Sequence, residues 1–347
     1  MNVLIIGNGF DLAHGLPTKY SDFVNAVSAN SDFFTYLKNN LRCKLERFER
    51  VRQSLVFRYI SAQMHNNKGW IDFEFEIKRL VDGMCEFKNL LSYEIRDIDG
   101  EICPILSIET SKISSLLPEQ YHVIFDERAP KTEWTEKEIG EIKKNLHNQI
   151  VDFIQLFQEY IIWVERRRTP FVKMLPFFTK LSVNRLLSFN YTQTFPKLYR
   201  SNRYITSDKC CYVHGIVSRR TNARIVMGIG SDYYDPSKHE DFLDLFKFFQ
   251  RYKYNTSTTY QNWLLELSAY PSPSQNIIYI FGHSLDPTDR DILLPFFKAP
   301  NTKIVIYYYN DGAREQLEKN LLRILGKDDF TQYLIGEQRK IEFQPIN

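Results

Sequence analysis

Four short apolar runs restrict the fold of this chain more than any other feature of its sequence. They are "NVLII" (2–6), "NRLLSFN" (184–190), "NIIYIFG" (276–282) and "KIVIYYYN" (303–310). Each is continuously apolar rather than alternating, which is typical of strands buried on both faces of a parallel sheet. Each also leads into a small or polar residue. Because ligands of open α/β sheets bind beyond the carboxyl ends of the strands, the sequence predicts an α/β fold with one site at that edge.

The region between residues 31 and 180 has a different pattern. Its stretch over 136–168 places apolar side chains three or four residues apart, which is the spacing of an amphipathic helix. These side chains are Ile139, Ile142, Leu146, Ile150, Phe153, Ile154 and Phe157. We therefore predict a helical insertion domain over 31–180, set into a sheet-forming domain that consists of 1–30 and 181–347. Residues 239–267 are predicted to be helical as well.

Charge and cysteine content exclude several classes of protein. The formal net charge of +3 is too small for the basic footprint of a nucleic-acid-binding protein, so nucleic acid is not an expected partner. The five cysteines include no C-x-x-C pair, which argues against structural zinc and against a secreted disulfide framework. No apolar stretch approaches the ~20 residues that cross a bilayer, and the first residues lack signal-peptide features. We expect a cytoplasmic protein with no membrane contact and no bound metal.

Two glycines, Gly7 and Gly9, follow the first apolar run. A G-x-G turn at this place lets the backbone approach a phosphate closely, although such a turn also occurs without a ligand. The third glycine of the G-x-G-x-x-G dinucleotide fingerprint is missing, because position 12 is leucine. No acidic residue at the end of a recognisable second strand follows about 20 residues later. These departures argue against an ordinary NAD dehydrogenase.

Short motifs at the strand ends resemble those of two families. Gly7, Gly9, Gly15, Leu16 and Pro17 form a pattern that resembles the opening loop of the sirtuin fold, where glycines surround the NAD diphosphate. "SFNYT" (188–192), "YVHG" (212–215), "FGHSLD" (281–286) and Asn310 follow in the sirtuin order. The opening "LIIGNGFDLAHGLPTKYSDF", with "WIDFE" (70–74), "SFNYT", "VHG" and "GHSLDPTDRDI" (282–292), resembles the bacterial phage abortive infection AbiH family over nearly the whole chain.

These resemblances imply a Rossmann-like (sirtuin-like) parallel sheet with a large α-helical insertion, and a role in phage defence. Related sirtuin-like domains hydrolyse NAD, so the expected activity is cleavage of the nicotinamide–ribose bond, which releases nicotinamide and ADP-ribose. This reaction needs positioning, a suitable electrostatic environment and a base, but no metal. NAD or a related nucleotide is the expected ligand, as substrate or as regulator; a phage trigger protein and further copies of the chain are expected partners. Two alternatives stay open: a non-catalytic nucleotide-binding sensor and a nuclease effector.

Asn190 and His214 are the catalytic residues that the sirtuin resemblance implies. Asn190 matches the Asn of the T-x-N-x-D motif and would orient the ribose or the attacking water. His214 matches the His of the H-G pair and would contact the ribose hydroxyls or act as base, because a histidine pKa of about 6.5 suits proton transfer at neutral pH. Each also has a structural alternative, a turn cap for Asn190 and a core histidine for His214. The segment "WIDFE" is a candidate lid, and its carboxylates Asp72 and Glu74 have no assigned role.

The other ligand contacts implied by the resemblance lie in three segments. They are Gly7, Asn8, Gly9 and Phe10 for the diphosphate, Asp11 and His14 beside them, Gly282, Ser284 and Asp286 after the third apolar run, and Asn310 after the fourth, with Ser284 and Asn310 on the adenosine side. Asp11 is also a common helix cap, and His14 has an alternative role in packing or capping. Asp286 precedes Pro287 and is predicted to start a turn, and Asp289 is predicted to cap the helix that follows.

The chain departs from the sirtuin pattern at three places. It lacks the two C-x-x-C zinc pairs of the sirtuin deacetylases, which argues against a protein deacylase. Thr192 stands where the T-x-N-x-D motif has Asp, and Asp11 stands where sirtuins have Ser. Adjacent Cys210 and Cys211 precede the H-G pair and suggest a thiol nucleophile, although free cysteines are more often buried in strands.

Overall fold

A six-stranded sheet forms the centre of the protein in the computed structural model, which describes residues 1–27, 31–40, 42–66, 73–91, 136–167, 173–199, 205–217, 224–269, 275–337 and 339–346. The strands are β1 (Asn2–Ile6), β2 (Arg185–Ser188), β3 (Cys210–Tyr212), β4 (Asn276–Phe281), β5 (Thr302–Tyr308) and β6 (Ile341–Pro345). All neighbouring strands of the sheet pair in parallel. The protein is therefore an α/β protein with a parallel sheet, as the apolar runs predict.

The strands lie in the order β3-β2-β1-β4-β5-β6. The chain adds β2 and β3 on one side of β1 and then returns to add β4, β5 and β6 on the other side. The order thus reverses between β1 and β4, which is the kind of place where open α/β sheets bind ligands at their carboxyl edge. All four strands predicted from the apolar runs are confirmed. The sequence does not predict β6, because only Ile341 of its residues is buried.

Helices surround the sheet. In chain order they are α1 (Asn8–Ala13), α2 (Tyr20–Ala26), α3 (Asp32–Asn40), α4 (Arg42–Gln53), α5 (Leu55–Asn66), α6 (Phe73–Leu91), α7 (Glu136–Arg166), α8 (Pro176–Lys180), α9 (Thr194–Leu198), α10 (Pro236–His239), α11 (Lys247–Tyr254), α12 (Tyr260–Ala269), α13 (Arg290–Lys298), α14 (Asp311–Leu325) and α15 (Lys327–Leu334). Among the described residues, no helix combines the length and the apolar character that a bilayer crossing requires.

Both faces of the sheet are covered. Val3 and Ile5 of β1 pack in a core with side chains of α12, α13, α14 and α15. Leu4 and Ile6 point to the opposite face, where they share a core with Phe10 of α1. Each strand therefore needs apolar residues at successive positions, which is the physical origin of the continuous runs.

A third, helical core is built from α2 to α7. The buried positions of α7 include Leu146, Ile150, Phe153, Ile154 and Phe157, which confirms the predicted helix and its apolar face. The same core contains Ile225, Met227, Phe242 and Phe246 from the segment that follows β3. The helical part of the chain is thus packed against residues that lie outside 31–180. The domain boundaries themselves stay a prediction.

The helical stretch predicted over 239–267 is broken at two places, and the prediction is wrong there. A 3-10 helix over Glu240–Leu245 ends at Phe246, which has extended backbone and pairs with Ile229 in an isolated parallel bridge. The next helix, α11, ends at Asn255 in the left-handed conformation, with φ of 50°. A bridge between distant segments leaves no periodic signal in the sequence, so helical spacing alone does not locate the first break.

Candidate functional site

The loops after β1 and β4 meet directly at the carboxyl edge of the sheet. The N–H of Gly9 donates to the carbonyl oxygen of Gly282 (2.8 Å), and the N–H of Gly7 donates to that of Phe281 (3.3 Å). A Cβ on Gly7 would lie 2.7 Å from the Cα of His283, and a Cβ on Gly9 would lie 2.7 Å from the Cα of Gly282. The glycines therefore allow the backbone after β4 to approach closely. The N–H groups of Gly7 and Gly9 both donate hydrogen bonds to that backbone.

Replacing Gly282 by alanine is expected to destabilise the protein by about 1–3 kcal/mol. Gly282 has φ of +66°, and its Cβ would lie 2.3 Å from the backbone nitrogen of Phe10, so the two loops would have to separate. Gly140 in α7 is the matched control, because nothing lies within 4 Å of its Cβ position. Gly140→Ala is expected to raise stability by about 0.5–1 kcal/mol. Denaturant unfolding measures both changes, and an unchanged midpoint for Gly282→Ala would contradict the loop contact.

Phe10 and His14, which the sequence places near the ligand, are fully buried core residues. The Nδ1–H of His14 donates to the carbonyl oxygen of Phe10 (2.6 Å), and its Nε2 accepts from the hydroxyl of Tyr199 (2.6 Å). The ring of Phe10 packs edge-on against Phe178 and Phe281. Both ring nitrogens of His14 are thus occupied inside the protein, which agrees with its packing alternative.

Asp11 and Thr192 form a buried pair that joins α1 to the loop after β2. The hydroxyl of Thr192 donates to Asp11 Oδ2 (2.7 Å) and lies 2.9 Å from the hydroxyl of Thr194. The cap residue of α1 is Gly7, so Asp11 does not occupy the cap position. Asp11, which stands where sirtuins have Ser, is therefore in contact with Thr192, which stands where they have Asp. The acid and the hydroxyl have exchanged positions relative to the sirtuin pattern.

Asn190 lies just after β2 and is only 4% exposed. Its backbone N–H donates to Ser188 Oγ (3.2 Å), but its side-chain Nδ2 has no hydrogen-bond partner among the described residues. The neighbours of Asn190 in the chain, Phe189 and Tyr191, both contact the ring of His214, with centroid distances of 5.3 and 6.3 Å. A buried donor without a partner costs about 1–3 kcal/mol and calls for an explanation. The Asn190 amide is available to a bound ligand.

A group of buried charges lies beside His214. Lys247 is only 1% exposed, and its Nζ lies 2.8 Å from Asp289 Oδ1 and 2.7 Å from Glu74 Oε2. The hydroxyl of Thr288 accepts from Lys247 (3.1 Å) and donates to Glu74 (2.9 Å). We call these four residues the lysine cluster. It connects α6, α11 and the loop after β4.

Lys247 and Asp289 are both charged at neutral pH. Burial by itself would lower the pKa of Lys247, but the carboxylates of Asp289 and Glu74 outweigh it and raise that pKa. Burial by itself would raise the pKa of Asp289, but Lys247 outweighs it and holds the pKa well below its usual value. Each charge therefore stabilises the ionised form of the other in a place that water does not reach.

His214 follows β3, and its Nε2 lies 3.1 Å from Asp289 Oδ1. Because an ionised carboxylate only accepts hydrogen bonds, Nε2 carries the hydrogen and Nδ1 carries the lone pair. Burial lowers the pKa of His214 to about 4; Asp289 acts against this shift and Lys247 acts with it. His214 is thus a neutral potential base at pH 7. His283 approaches the other oxygen of the same carboxylate, with its Nε2 3.6 Å from Asp289 Oδ2.

Several predicted adenosine and diphosphate contacts are exposed at the same edge of the sheet. Asn8, Ser284 and Asn310 are exposed and follow β1, β4 and β5. The side chain of Asn310 also caps α14. Asp286 accepts from the N–H of Thr288 (2.8 Å) and starts the short helix there, which confirms the predicted turn. This edge therefore combines buried polar groups after β2 and β3 with exposed ones after β1, β4 and β5.

The sequence assigns Asp289 to a helix cap; this position is confirmed, but the capping hydrogen bond that it implies is not formed. Asp289 occupies the cap position of α13, but its carboxylate makes no capping hydrogen bond and pairs with Lys247 instead. Sequence reasoning also misses Lys247 and His283. The signal for Lys247 is its place between Phe246 and Phe248, because a lysine inside an apolar run can be buried only with a charged partner.

Two other sequence motifs have definite places. Asp72 of the candidate lid lies outside the described residues, whereas Glu74 lies in the first turn of α6 and belongs to the lysine cluster. Cys210 and Cys211 lie in β3, as the buried-strand alternative expects. Burial raises the pKa of the Cys210 thiol to about 11, so this cysteine is protonated at neutral pH and is a poor nucleophile.

The polar edge differs in chemistry from an apolar cavity that includes Phe281 at the end of β4. A cavity of about 430 Å³ lies between Leu175, Phe177, Leu181, Phe281 and Ile346 and has one charged neighbour, Lys180. It offers few groups that could position a polar substrate. Among the described residues, no set of three or more His, Cys, Asp and Glu side chains is arranged to hold a metal ion. We therefore place the candidate site at the carboxyl edge.

Together, the fold and site define a parallel α/β protein with a buried neutral histidine and a buried asparagine at the carboxyl edge of its sheet. The chain belongs to the bacteriophage abortive infection AbiH family, whose family model matches residues 3–310. This confirms the AbiH resemblance and implies a role in abortive infection by phage. A comparison with curated proteins found no match, and neither did a comparison with solved structures.

Proposed function

We propose that the protein is a phage-defence effector that binds NAD and hydrolyses the bond between nicotinamide and ribose. The observation that carries this proposal is the buried amide of Asn190, whose Nδ2 has no partner among the described residues, together with the neutral ring of His214, which packs against the chain neighbours of Asn190, Phe189 and Tyr191. A buried polar donor and a neutral base at the same edge of the sheet suit a sugar that must be held and attacked by water. The strand order adds support, because Rossmann sheets that bind dinucleotides have the same order.

In the proposed reaction, Asn190 donates a hydrogen bond to the ribose or to the attacking water. The bond between ribose C1′ and the nicotinamide nitrogen breaks, and its electron pair leaves with nicotinamide. Water forms the new bond to C1′, and the lone pair on His214 Nδ1 accepts the proton that water loses. The diphosphate and adenosine are assigned to the side of the site that carries Asn8, Ser284 and Asn310.

Asn190 and His214 are both almost fully buried, so NAD can reach them only if the site opens. A closed resting form suits an effector that must stay inactive until a phage trigger arrives. The same burial favours a second candidate function, a nucleotide-binding sensor that does no chemistry. In a sensor, Asn190→Ala and His214→Ala would still protect cells from phage.

Mass spectrometry of NAD and ADP-ribose in infected cells tests the proposal. Cells express the wild type, His214→Ala or Asn190→Ala at matched levels, so that the trigger is present in each case. We expect NAD to fall and ADP-ribose to rise only with the wild type, because loss of one positioned group lowers turnover by about 10²–10³-fold. Level NAD in wild-type cells that survive infection would contradict NAD cleavage, and protection by both variants would favour the sensor.

A further inference from the structure

We infer that Asp289 and Lys247 act as a positioning pair for His214 and fix which of its ring nitrogens accepts a proton. As a statement about catalysis, this inference rests on the proposed function. The tautomer and the charge of the His214 ring can be measured without any substrate. A buried ion pair is not by itself a gain in stability, since apolar side chains of similar volume often stabilise a core equally well. The cluster therefore calls for another role, and its contact with His214 supplies one.

The hydrogen bond between His214 and Asp289 fixes which ring nitrogen carries the hydrogen. Oδ1 of Asp289 accepts from Lys247 Nζ at 2.8 Å and from His214 Nε2 at 3.1 Å. A carboxylate has no hydrogen to donate, so the His214 ring must present Nε2–H to it. The lone pair of Nδ1 is then on the opposite side of the ring from the carboxylate. The same contact also restrains rotation of the ring, because flipping it would break the bond.

Lys247 keeps the His214 ring neutral. The charged and titratable groups around His214 are Asp289, Lys247 and Arg251, with Tyr191 packed on the ring and with Glu74 and His283 contacting the pair. A buried histidine beside an unpaired carboxylate would take up a proton and form an ion pair with it. Lys247 prevents this, because it already balances the carboxylate and repels a second positive charge. Asp289 thus sets the tautomer, and Lys247 keeps that tautomer neutral.

Glu74 links the pair of Asp289 and Lys247 to the helical part of the chain. Glu74 lies at the start of α6 and shares Lys247 with Asp289. Glu74→Gln changes the charge next to Lys247 but leaves the hydrogen bond between His214 and Asp289 in place, so we expect it to be a milder perturbation of the same pair.

Nitrogen NMR of the imidazole groups in the full-length wild type is the primary test. The chain has seven histidines, and His214→Gln identifies the signal of His214. We expect a neutral ring with Nε2–H in at least about tenfold excess over Nδ1–H from about pH 5 upward, because a hydrogen bond to a charged acceptor supplies that preference. A ring that carries Nδ1–H, or a protonated ring at pH 7, would overturn the inference without need of any variant.

Variants of the two residues should change different properties of the His214 ring. Lys247→Met should raise the titration midpoint of His214 by about one pH unit or more, because Asp289 then lacks its cation. Asp289→Asn keeps an acceptor oxygen and should keep the Nε2–H tautomer, whereas Asp289→Ala should lose that preference. Lys319→Met, on the exposed surface of α14, should leave His214 unchanged. A folded Lys247→Met protein with no shift would contradict the role of Lys247.

Turnover separates this inference from the proposed function. If NAD is the substrate, kcat should fall in the order wild type, Asp289→Asn, Asp289→Ala while KM changes little, since both residues act through the base. If triggered wild-type protein leaves NAD intact but His214 has the expected tautomer and shifts, only the proposed function fails. If NAD is cleaved and His214 has the other tautomer, only the positioning pair fails.

Discussion

Asn190→Leu is expected to slow NAD cleavage strongly while leaving the protein as stable as the wild type, or more stable. Leucine is close to asparagine in shape, and the donor that it removes makes no hydrogen bond among the described residues. Removal of an unsatisfied buried donor recovers the cost of its desolvation, so the free energy of unfolding should stay level or rise by about 1 kcal/mol. NAD cleavage should fall by about 10²–10³-fold, because the positioned donor is lost.

Asn184, at the amino edge of the same sheet, provides the control for this substitution. Its Oδ1 accepts from the backbone N–H of Asn2 at 2.8 Å, so Asn184→Leu leaves a main-chain donor unpaired. We expect this variant to lose about 1–3 kcal/mol of stability and to keep the wild-type rate per folded molecule. Thermal unfolding and an NAD assay on triggered protein measure both quantities. A destabilised Asn190→Leu that still cleaves NAD would mean that the amide serves the fold and not the reaction.

The sheet can be predicted from sequence because its signal is local. A strand such as β1 is buried on both faces, and this shows directly as consecutive apolar residues. The edge strand β6 lacks the signal, since most of its side chains are partly exposed. Asn190 and His214 can also be located from local sequence. Asn190 stands at the end of an apolar run, and His214 belongs to a short motif. Parallel pairing then brings those ends to one edge.

The lysine cluster could not be predicted in the same way. Its members lie in α6, α11 and the loop after β4, so their spacing in the sequence reflects no helix or strand period. Asp289 has a sequence context that is typical of a helix cap, and it does stand at that position. Its carboxylate nevertheless turns to Lys247, because a buried ammonium group gains more from a carboxylate than an exposed helix end does. The ion pair with Lys247 decides where the Asp289 carboxylate points. The residues next to Asp289 in the sequence carry no information about Lys247.

The glycine loop shows a different limit of sequence reasoning. The motif predicts close approach of another group to Gly7 and Gly9, and the structure contains such an approach. The approaching group is the backbone of Gly282 and His283, which belongs to the loop after β4. A glycine indicates only that another group comes close to its Cα. That group can be a phosphate or a neighbouring segment of backbone. Only three-dimensional contacts distinguish the two.

Lys247→Met is expected to destabilise the protein by about 3–5 kcal/mol at pH 7, since it leaves buried carboxylates without their cation. Methionine fills similar space, so the loss should come from charge and not from packing. Glu74→Gln in the same background should recover part of the loss, because the negative charge that Glu74 places 2.7 Å from the lysine position is then removed. Lys319→Met is the surface control: Lys319 pairs with Glu315 on exposed α14, and a change within about 0.5 kcal/mol is expected.

The stability difference between Lys247→Met and the wild type should shrink as the pH falls. In the wild type the pKa of Asp289 is held well below its usual value, so its stabilisation is present above the unfolded pKa of about 3.9 and is lost as the pH falls toward the folded one. In the variant, burial without Lys247 raises the folded pKa of Asp289 above about 3.9, so the cost of the unpaired charge is relieved as the pH falls through that raised value. The relief in the variant narrows the stability difference between about pH 7 and pH 4, and the loss of stabilisation in the wild type narrows it further below about pH 4. Denaturant unfolding at several pH values measures it, and a difference that does not depend on pH would exclude an uncompensated carboxylate as its cause.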